Sequence, residues 1–106
     1  EKLFDDPEEV LKRLGENTAV VCYNDEVAFG LVKCLLSAGR RVPEDVAVVS
    51  FDNSNLSWIS QVPITSLSYE DRNIGRIAAQ KLVDILDGRD VSSEVLPWTF
   101  IQKESS

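Results

Sequence analysis

The chain has 106 residues, 43% of them hydrophobic, which suits a single domain with a modest core. Its 18 acidic residues outnumber its 11 basic ones, and the formal net charge is −7. Phosphate contacts need clustered Lys and Arg, so these scattered basic residues argue against nucleic-acid binding by this segment. No apolar run reaches transmembrane length, so no membrane partner is expected.

A short helix, a strand and a longer helix are predicted in the first third of the chain. The sequence 6–9 is typical of a helix start because it offers a capping Asp, a Pro at the first helical position and a Glu at the third. Gly15 then ends this helix. The apolar run 18–23 predicts a strand, and a helix over 25–38 follows with Asp25 as its cap.

The helix predicted over 25–38 carries two apolar stripes. The first stripe comprises Val27, Leu31, Cys34, Leu35 and Ala38. The second stripe comprises Phe29, Val32 and Leu36. A helix that covers one face of a sheet needs only one stripe, so the second should meet another surface. We expect a homodimer contact there, with a neighbouring element of the same chain as the alternative.

A second strand, over 46–51, completes a βαβ unit that is expected to be right-handed. The later predicted elements are a polar loop at 53–62, a short extended segment at 63–68, a helix over 70–87 and an extended run over 95–101. The sequence Ser68-Tyr-Glu-Asp71 resembles a capping box for that last helix, and Gly88 ends it.

Both predicted strands stop on an amide and a carboxylate. Asn24 and Asp25 follow the first strand, and Asp52 and Asn53 follow the second. The carboxyl ends of parallel strands meet at one edge of the sheet, where such folds bind ligands. A carboxylate accepts from two hydroxyls and an amide both donates and accepts, which suits a polyhydroxylated ligand. A helix cap and an Asx turn explain the same residues, so both interpretations remain open at this point.

An enzyme is the weaker interpretation. Asp52 ends a buried strand, as the phosphoacceptor of receiver domains does, but Asn24 and Asp25 supply only part of the acidic pair that those domains use. The segment 63–68 offers no lysine. The chain has no histidine, so no Ser–His or Cys–His arrangement is possible, and it has no glycine-rich phosphate loop. We therefore expect no catalytic residue, no metal site and no cofactor.

The cysteines and tryptophans are expected to be structural. Cys22 and Cys34 lie in apolar company, which predicts buried reduced thiols and favours a cytoplasmic protein. Trp58 and Trp98 could stack on the apolar face of a sugar, but a packing or interface role is the favoured interpretation.

Five ordered and correctly spaced segments match a known family pattern between Thr18 and Ser105. They are Thr18 to Asp25 with Ala28 and Gly30, Val42 to Asp52, Pro63 to Leu67, Gly75 with Ala78 and Ala79, and Ile101 to Ser105. These segments resemble the carboxyl-terminal part of the LacI/GalR family of bacterial transcription regulators, and Cys-Tyr-Asn-Asp at 22–25 is also similar to arabinose-type repressors. Three residues depart from the family pattern: Ser50 replaces a Gly, Ser66 a Thr and Lys103 an Arg.

The resemblance implies an α/β fold, here a parallel-sheet βαβ lobe of the periplasmic-binding-protein-like (type I) fold. Asn24 and Asp52 fall on positions that bind the effector in the family, which leaves Asp25 as the helix cap. Tyr69 falls at the hinge crossover, on a position that can face the cleft. The dimer surface of the family falls on Phe29, Val32, Leu36, Trp58 and Ile59.

The ligand domain of the family is longer than this chain, so the resemblance implies a fragment. Residues 1–67 would form the carboxyl-terminal lobe, 68–97 the hinge crossover with one terminal helix of the missing lobe, and 98–106 a return strand and tail. The exposed stripe of helix 70–87 should then dock on this lobe or be covered by a second copy.

The implied function is sensing of a small-molecule effector, such as a sugar, by a cytoplasmic homodimer. DNA would be contacted only through a domain absent from this chain. The alternatives are a solute-binding protein of a sugar transporter and, less favoured, a receiver-like phosphotransfer domain.

Overall fold

The computed structural model describes residues 4–69 and 73–106, which form four helices and four strands. The helices are α1 (Pro7–Leu14), α2 (Asp25–Ser37), α3 (Asn55–Ile59) and α4 (Ile74–Leu86). The strands are β1 (Ala19–Val21), β2 (Ala47–Phe51), β3 (Thr65–Ser68) and β4 (Thr99–Ile101). The predicted α/β class is confirmed, and β1, α2 and β2 form the predicted βαβ unit.

The strands form one sheet in the order β1-β2-β3-β4. β1 and β2 are parallel, with Val21 opposite Val49, and β2 and β3 are parallel, with Val49 opposite Thr65. The three carboxyl ends of β1, β2 and β3 therefore meet at one edge. The buried apolar side chains that pack together around this sheet are Val10, Cys22, Ala28, Leu31, Val32, Cys34, Leu35, Val42, Val46, Val48 and Ile64.

The two ends of α1 agree with the sequence prediction. The Asp6 carboxylate accepts hydrogen bonds from the backbone amides of Glu8 at 3.0 Å and Glu9 at 3.3 Å. Gly15 ends the helix with a φ of 57°, in the region that glycine adopts without steric cost.

The predicted cap of α2 is wrong by one residue. Asn24 is the N-cap, because its extended backbone lets its side-chain oxygen accept from the amide of Val27 at 2.9 Å. Asp25 is the first helical residue, and only 1% of its surface is exposed. Its carboxylate is therefore directed to partners inside the protein rather than to the helix end.

The segment predicted as a polar loop at 53–62 contains helix α3. This one-turn helix is too short to show a helical apolar period, and its Ser and Asn residues are typical of turns. It packs against α2 and buries the side chain of Ser57. A neighbouring element of the same chain therefore covers part of the second stripe of α2.

The predicted dimer residues differ in how much surface they expose. Val32 is only 1% exposed, so it is a core residue of this chain and has almost no surface to offer a second copy. Phe29 and Leu36 are half-buried, whereas Trp58 and Ile59 are 55% and 70% exposed. Val32 therefore offers little surface to a second copy, and a dimer contact through these residues stays a prediction.

Helix α4 begins later than the sequence predicted. Its N-cap is Asn73, whose side chain accepts from the amide of Arg76 at 2.9 Å, and Ser68 lies in β3. The remaining part of the predicted capping box, at 70–71, lies outside the described residues. Gly88 follows the helix with a φ of 77°.

Most apolar residues of α4 are exposed. No residue of this helix is buried, and its exposed large apolar side chains are Ile74, Leu82, Val83, Ile85 and Leu86. None of the helices within 4–69 and 73–106 is long and apolar enough to cross a bilayer.

The chain divides into two compact units. The first unit is Glu1–Ser68 with Phe100–Ser106, and the second is Tyr69–Thr99. The first contains β1 to β3 and the core, and the second contains α4.

The tail of the chain is part of the core of the first unit. Ser105 is fully buried, and its carbonyl accepts from the amide of Val48 at 2.8 Å. Its hydroxyl accepts from the amide of Thr65 at 2.8 Å and donates to the carbonyl of Val48 at 2.5 Å. The polar residue near the end of the sequence therefore bonds to both central strands.

Cys22 and Cys34 are buried free thiols, as predicted. Burial raises the pKa of the Cys22 thiol to about 11 and, together with the charge of Asp6, raises that of Cys34. A shift from 9.0 to about 11 lowers the thiolate fraction of Cys22 roughly 100-fold in neutral buffer.

We expect both thiols to resist a thiol reagent in the native chain. Ellman's reagent in mildly alkaline buffer should titrate neither cysteine within minutes, and both in denaturing guanidinium, because the thiolate is disfavoured and the sulfur atoms are covered. Rapid release of one equivalent from the native chain would show that one thiol is accessible and would contradict the burial.

Candidate ligand site at the carboxyl edge of the sheet

A buried carboxylate joins the ends of the three parallel strands. Asp25 Oδ1 accepts hydrogen bonds from the hydroxyls of Ser50 and Ser66, the second at 2.8 Å. Asp25 Oδ2 accepts from the backbone amide of Ser54 at 2.5 Å. Asp25 follows β1, Ser50 lies in β2 and Ser66 in β3. These four residues are called the Asp25 cluster below, and they connect three strand ends through one side chain.

The Asp25 cluster is a structural device, not a ligand site. Burying a carboxylate is costly unless donors surround it, and here two hydroxyls and an amide do so. Asp25 is also the first residue of α2, where the helix dipole favours a negative charge. Its oxygens are engaged within the chain, so it fixes the geometry of the edge.

The sequence contains a signal for this cluster that the prediction did not use. Ser50 lies inside the apolar run 46–51 and, by strand alternation, shares a face with Val48. Both side chains are fully buried. A hydroxyl on a core face needs a hydrogen-bond partner, so a nearby carboxylate could have been inferred from Ser50.

The turn after β2 holds two residues in an uncommon conformation. Asp52 and Asn53, called the 52–53 turn below, have φ angles of 102° and 52°, in the left-handed region that few non-glycine residues adopt. The amide of Asp52 donates to the carbonyl of Leu67, and the amide of Asn53 to the hydroxyl of Ser66, both at 2.9 Å. The turn is thus tied to β3, and it leaves Asp52 exposed.

Asn24 and Asp52 lie at the same edge of the sheet. Val21 and Val49 are paired in the parallel register, and each of the two polar residues comes three positions after one of them. Asn24 is half-buried and uses its side-chain oxygen to cap α2. Its amide nitrogen is therefore the group that it can offer to a ligand.

Tyr69 follows β3 directly and belongs to the second unit. Its ring lies on that of Trp98, with 3.8 Å between the ring centroids and 34° between the planes. This contact agrees with the packing role favoured for Trp98. A ligand role for Tyr69 stays a prediction.

Lys103 also lies at this edge. The sequence identifies it only as a departure from the family pattern. Its ammonium donates to Asn53 Oδ1 at 2.7 Å, to the carbonyl of Ile64 at 2.8 Å and to the hydroxyl of Ser57 at 3.0 Å. The same nitrogen lies 4.3 Å from the centroid of the Trp58 ring. Burial lowers the pKa of Lys103, and the charge of Asp25 acts in the opposite direction.

An apolar groove of about 440 Å³ lies elsewhere, beside α1, β1 and α2. Its lining includes Val10, Leu14, Val20, Val27 and Leu31. Most of its lining is apolar, and neither Asn24 nor Asp52 is part of it, so the carboxyl edge remains the better candidate for a polyhydroxylated ligand. In the part of the chain that the structure describes, no group of three or more His, Cys, Asp or Glu residues could hold a metal ion.

The Asp25 cluster predicts how three variants of the first turn of α2 rank in stability. Asp25→Ala should cost about 3 kcal/mol of unfolding free energy because it leaves buried donors unpaired. Asp25→Asn should cost less, about 1–2 kcal/mol, because serine hydroxyls can accept from the new amide while its oxygen keeps the Ser54 amide. The exposed neighbour Glu26 is the matched control, and Glu26→Gln should change stability by less than about 0.5 kcal/mol.

Urea denaturation of the three variants, followed by circular dichroism, measures this ranking. Equal stability of Asp25→Ala and wild type would show that the buried carboxylate does not support the edge.

Comparison with known proteins identifies the family. A family model described as a periplasmic binding protein-like domain matches residues 3–106. The HTH-type transcriptional repressor PurR of Vibrio atlanticus is 35% identical over 78 residues, which are 74% of this chain and 23% of that protein. The arabinose metabolism transcriptional repressor of Geobacillus stearothermophilus is 34% identical over 74 residues, 70% of this chain and 20% of that protein.

The fold has close counterparts among solved structures. The transcriptional regulator CelR, in complex with cellobiose, is 32% identical and superposes with a TM-score of 0.84 over 97% of this chain and 32% of that chain. The chain spans less than a quarter of the length of the two curated relatives. It belongs to the family of periplasmic-binding-protein-like domains, in the form found in LacI/GalR-type transcription regulators.

Proposed function

We propose that this chain is the carboxyl-terminal part of the effector-binding domain of a LacI/GalR-type transcription regulator, and that it supplies one wall of a site for a sugar or similar small molecule. The observation that carries the proposal is the carboxyl edge, where Asn24 and the exposed Asp52 follow paired positions of adjacent parallel strands. The sugar in the CelR complex and the arabinose-related relative support a polyhydroxylated effector.

The chemistry of these side chains fits hydroxyl recognition. Asp52 can accept hydrogen bonds from two hydroxyls, Asn24 can donate from its amide nitrogen, and Tyr69 can add a phenolic hydroxyl. A site of this kind rejects an analogue that lacks a hydroxyl, because its own polar groups are then left unpaired. The Asp25 cluster and the bonded 52–53 turn hold the wall in place before a ligand arrives, which lowers the entropy cost of binding.

In the whole regulator this wall would act as a conformational sensor and not as an enzyme. Residues 68–97 would carry the hinge crossover and a helix of the other lobe, so that an effector between the lobes favours one arrangement of the domain. An effector can shift the regulator between DNA-binding and released states only through differential affinity for the two. DNA contact would lie in a domain outside this chain, and the protein would be cytoplasmic.

Asp52→Ala in the intact regulator should abolish the effector response while operator binding is retained. The effector is first found by a thermal-shift screen of sugars and purines against the intact protein. Fluorescence anisotropy of a labelled operator, with and without that effector, then measures the response. The exposed Asp90 gives a matched control, and Asp90→Ala should respond as wild type does.

Two results would count against this role of Asp52. Loss of operator binding together with the response would indicate that Asp52 supports folding. A full response of Asp52→Ala would remove Asp52 from the ligand site.

The regulator is also proposed to act as a homodimer through the α3 face, defined here as Phe29, Leu36, Trp58 and Ile59. A groove of about 320 Å³ between α2 and α3 opens on this face, and Ile59 is part of its lining. Val32 also lines this groove as a core residue of the same chain. Exposed apolar side chains grouped beside a groove mark an interaction surface, and a twofold dimer uses the same patch on both copies.

Ile59→Lys should weaken the dimer of the intact regulator roughly tenfold or more, because it buries an unpaired ammonium in the contact. Sedimentation velocity over a range of concentrations measures the dissociation constant. Val95 is an exposed apolar residue outside the α3 face, and Val95→Lys is the control that should leave the dimer unchanged. A wild-type dissociation constant for Ile59→Lys would place the contact elsewhere.

A further inference from the structure

The ammonium of Lys103 has a fixed position in the first unit. An ammonium carries three donors, and the structure gives it three acceptors: Asn53 Oδ1, Ser57 Oγ and the Ile64 carbonyl. The Trp58 ring lies against the same nitrogen. The backbone amide of Lys103 donates to Thr65 Oγ1 at 2.9 Å, so the main chain is also tied to β3.

The three acceptors of Lys103 are neutral groups. A surface lysine keeps its charge in water and contributes little to stability, whereas the side chain of Lys103 is half-buried. Hydrogen bonds to a charged group are about twice as strong as those between neutral groups. The ammonium therefore fixes the groups that it contacts more firmly than a neutral side chain would.

Of the three acceptors, the side chain of Asn53 depends most on the ammonium for its position. Besides the Lys103 ammonium, its oxygen has a long contact of 3.5 Å with the hydroxyl of Ser57. Asn adopts the φ of 52° found here more readily than most residues do, whereas the φ of 102° at the adjoining Asp52 is uncommon and needs neighbouring contacts to hold it. Without the ammonium, the side-chain oxygen of Asn53 would keep only the long contact with the hydroxyl of Ser57.

We propose that Lys103 is a positioning residue of the ligand site: by holding the Asn53 side chain it fixes the left-handed 52–53 turn, and thereby the direction in which Asp52 faces a ligand. This inference rests on the proposed ligand role of Asp52. Lys103 itself does not need to touch the effector. Lys103, which follows β4, would then fix the conformation of the turn that follows β2.

Amide hydrogen exchange of the 106-residue chain, measured by NMR, tests the proposal without any ligand. Lys103→Met keeps the length of the side chain but removes its donors. It should accelerate exchange at Asp52 and Asn53 by about tenfold to 100-fold, the effect of losing a hydrogen bond to a charged group. The amide of Val48, which is bonded to Ser105, is the internal reference and should change by less than about twofold.

Two further variants separate positioning from general stability. Lys103→Arg keeps a cation with several donors and should restore slow exchange in the 52–53 turn to within about threefold of wild type. Lys33 is an exposed lysine of α2, and Lys33→Met is the matched control that should leave all these amides unchanged. Equal acceleration at Asp52, Asn53 and Val48 would show that Lys103 only anchors the tail and would overturn the proposal, as would unchanged exchange at the turn.

A measurement on the wild-type chain covers the case in which Lys103→Met does not fold. The side-chain ¹⁵N resonance of Lys103 should show slowed proton exchange at mildly acidic pH, whereas the exposed Lys33 should exchange rapidly. Rapid exchange at Lys103 would overturn the proposal. Failure of the Asp52→Ala experiment would remove the ligand role and leave this exchange result intact, so the two failures are distinguishable.

Discussion

The carboxylate of Asp25 is the interaction on which the candidate site depends. It receives donors from three parts of the chain that are distant in sequence: a hydroxyl of β2, a hydroxyl of β3 and the amide that follows the 52–53 turn. The same residue begins α2. All three donors must be in place at once, because each missing donor leaves part of the cost of burying the carboxylate uncompensated. The strand ends are therefore brought into one arrangement together.

This constraint separates the residues of the edge into two kinds. Asp25, Ser50 and Ser66 are buried, and their side chains hydrogen-bond to one another and fix the shape of the edge. Asp52 is exposed on a turn whose backbone is bonded to β3 and whose second residue is bonded to Lys103. A wall whose exposed carboxylate, Asp52, is held by such bonds would suit the recognition of hydroxyl groups, since little reorganisation would be needed when the proposed ligand binds.

Local signals predicted most of the fold, and contacts between distant residues account for what was missed. Asp6, Gly15 and the apolar periods act within a few positions, so they predicted the elements of the first unit apart from α3, which is too short to show a helical period. The Asp25–Ser50 and Lys103–Asn53 bonds join residues 25 and 50 positions apart. A local pattern, such as the hydroxyl of Ser50 on a core face, indicates only that a partner is needed and not which residue supplies it. The wrong cap assignment has the same origin, because Asn24 and Asp25 are equally good caps until the partners of each are known.

The burial of Ser105 has a consequence for the order in which the first unit can be completed during synthesis. The backbone of Val48 and the amide of Thr65 both receive their partners from this serine, which follows Val48 by 57 positions. While the ribosome still holds residue 105, the two central strands lack that partner, and water must satisfy these backbone groups. The unit can collapse early, but its core is closed only after Ser105 has emerged.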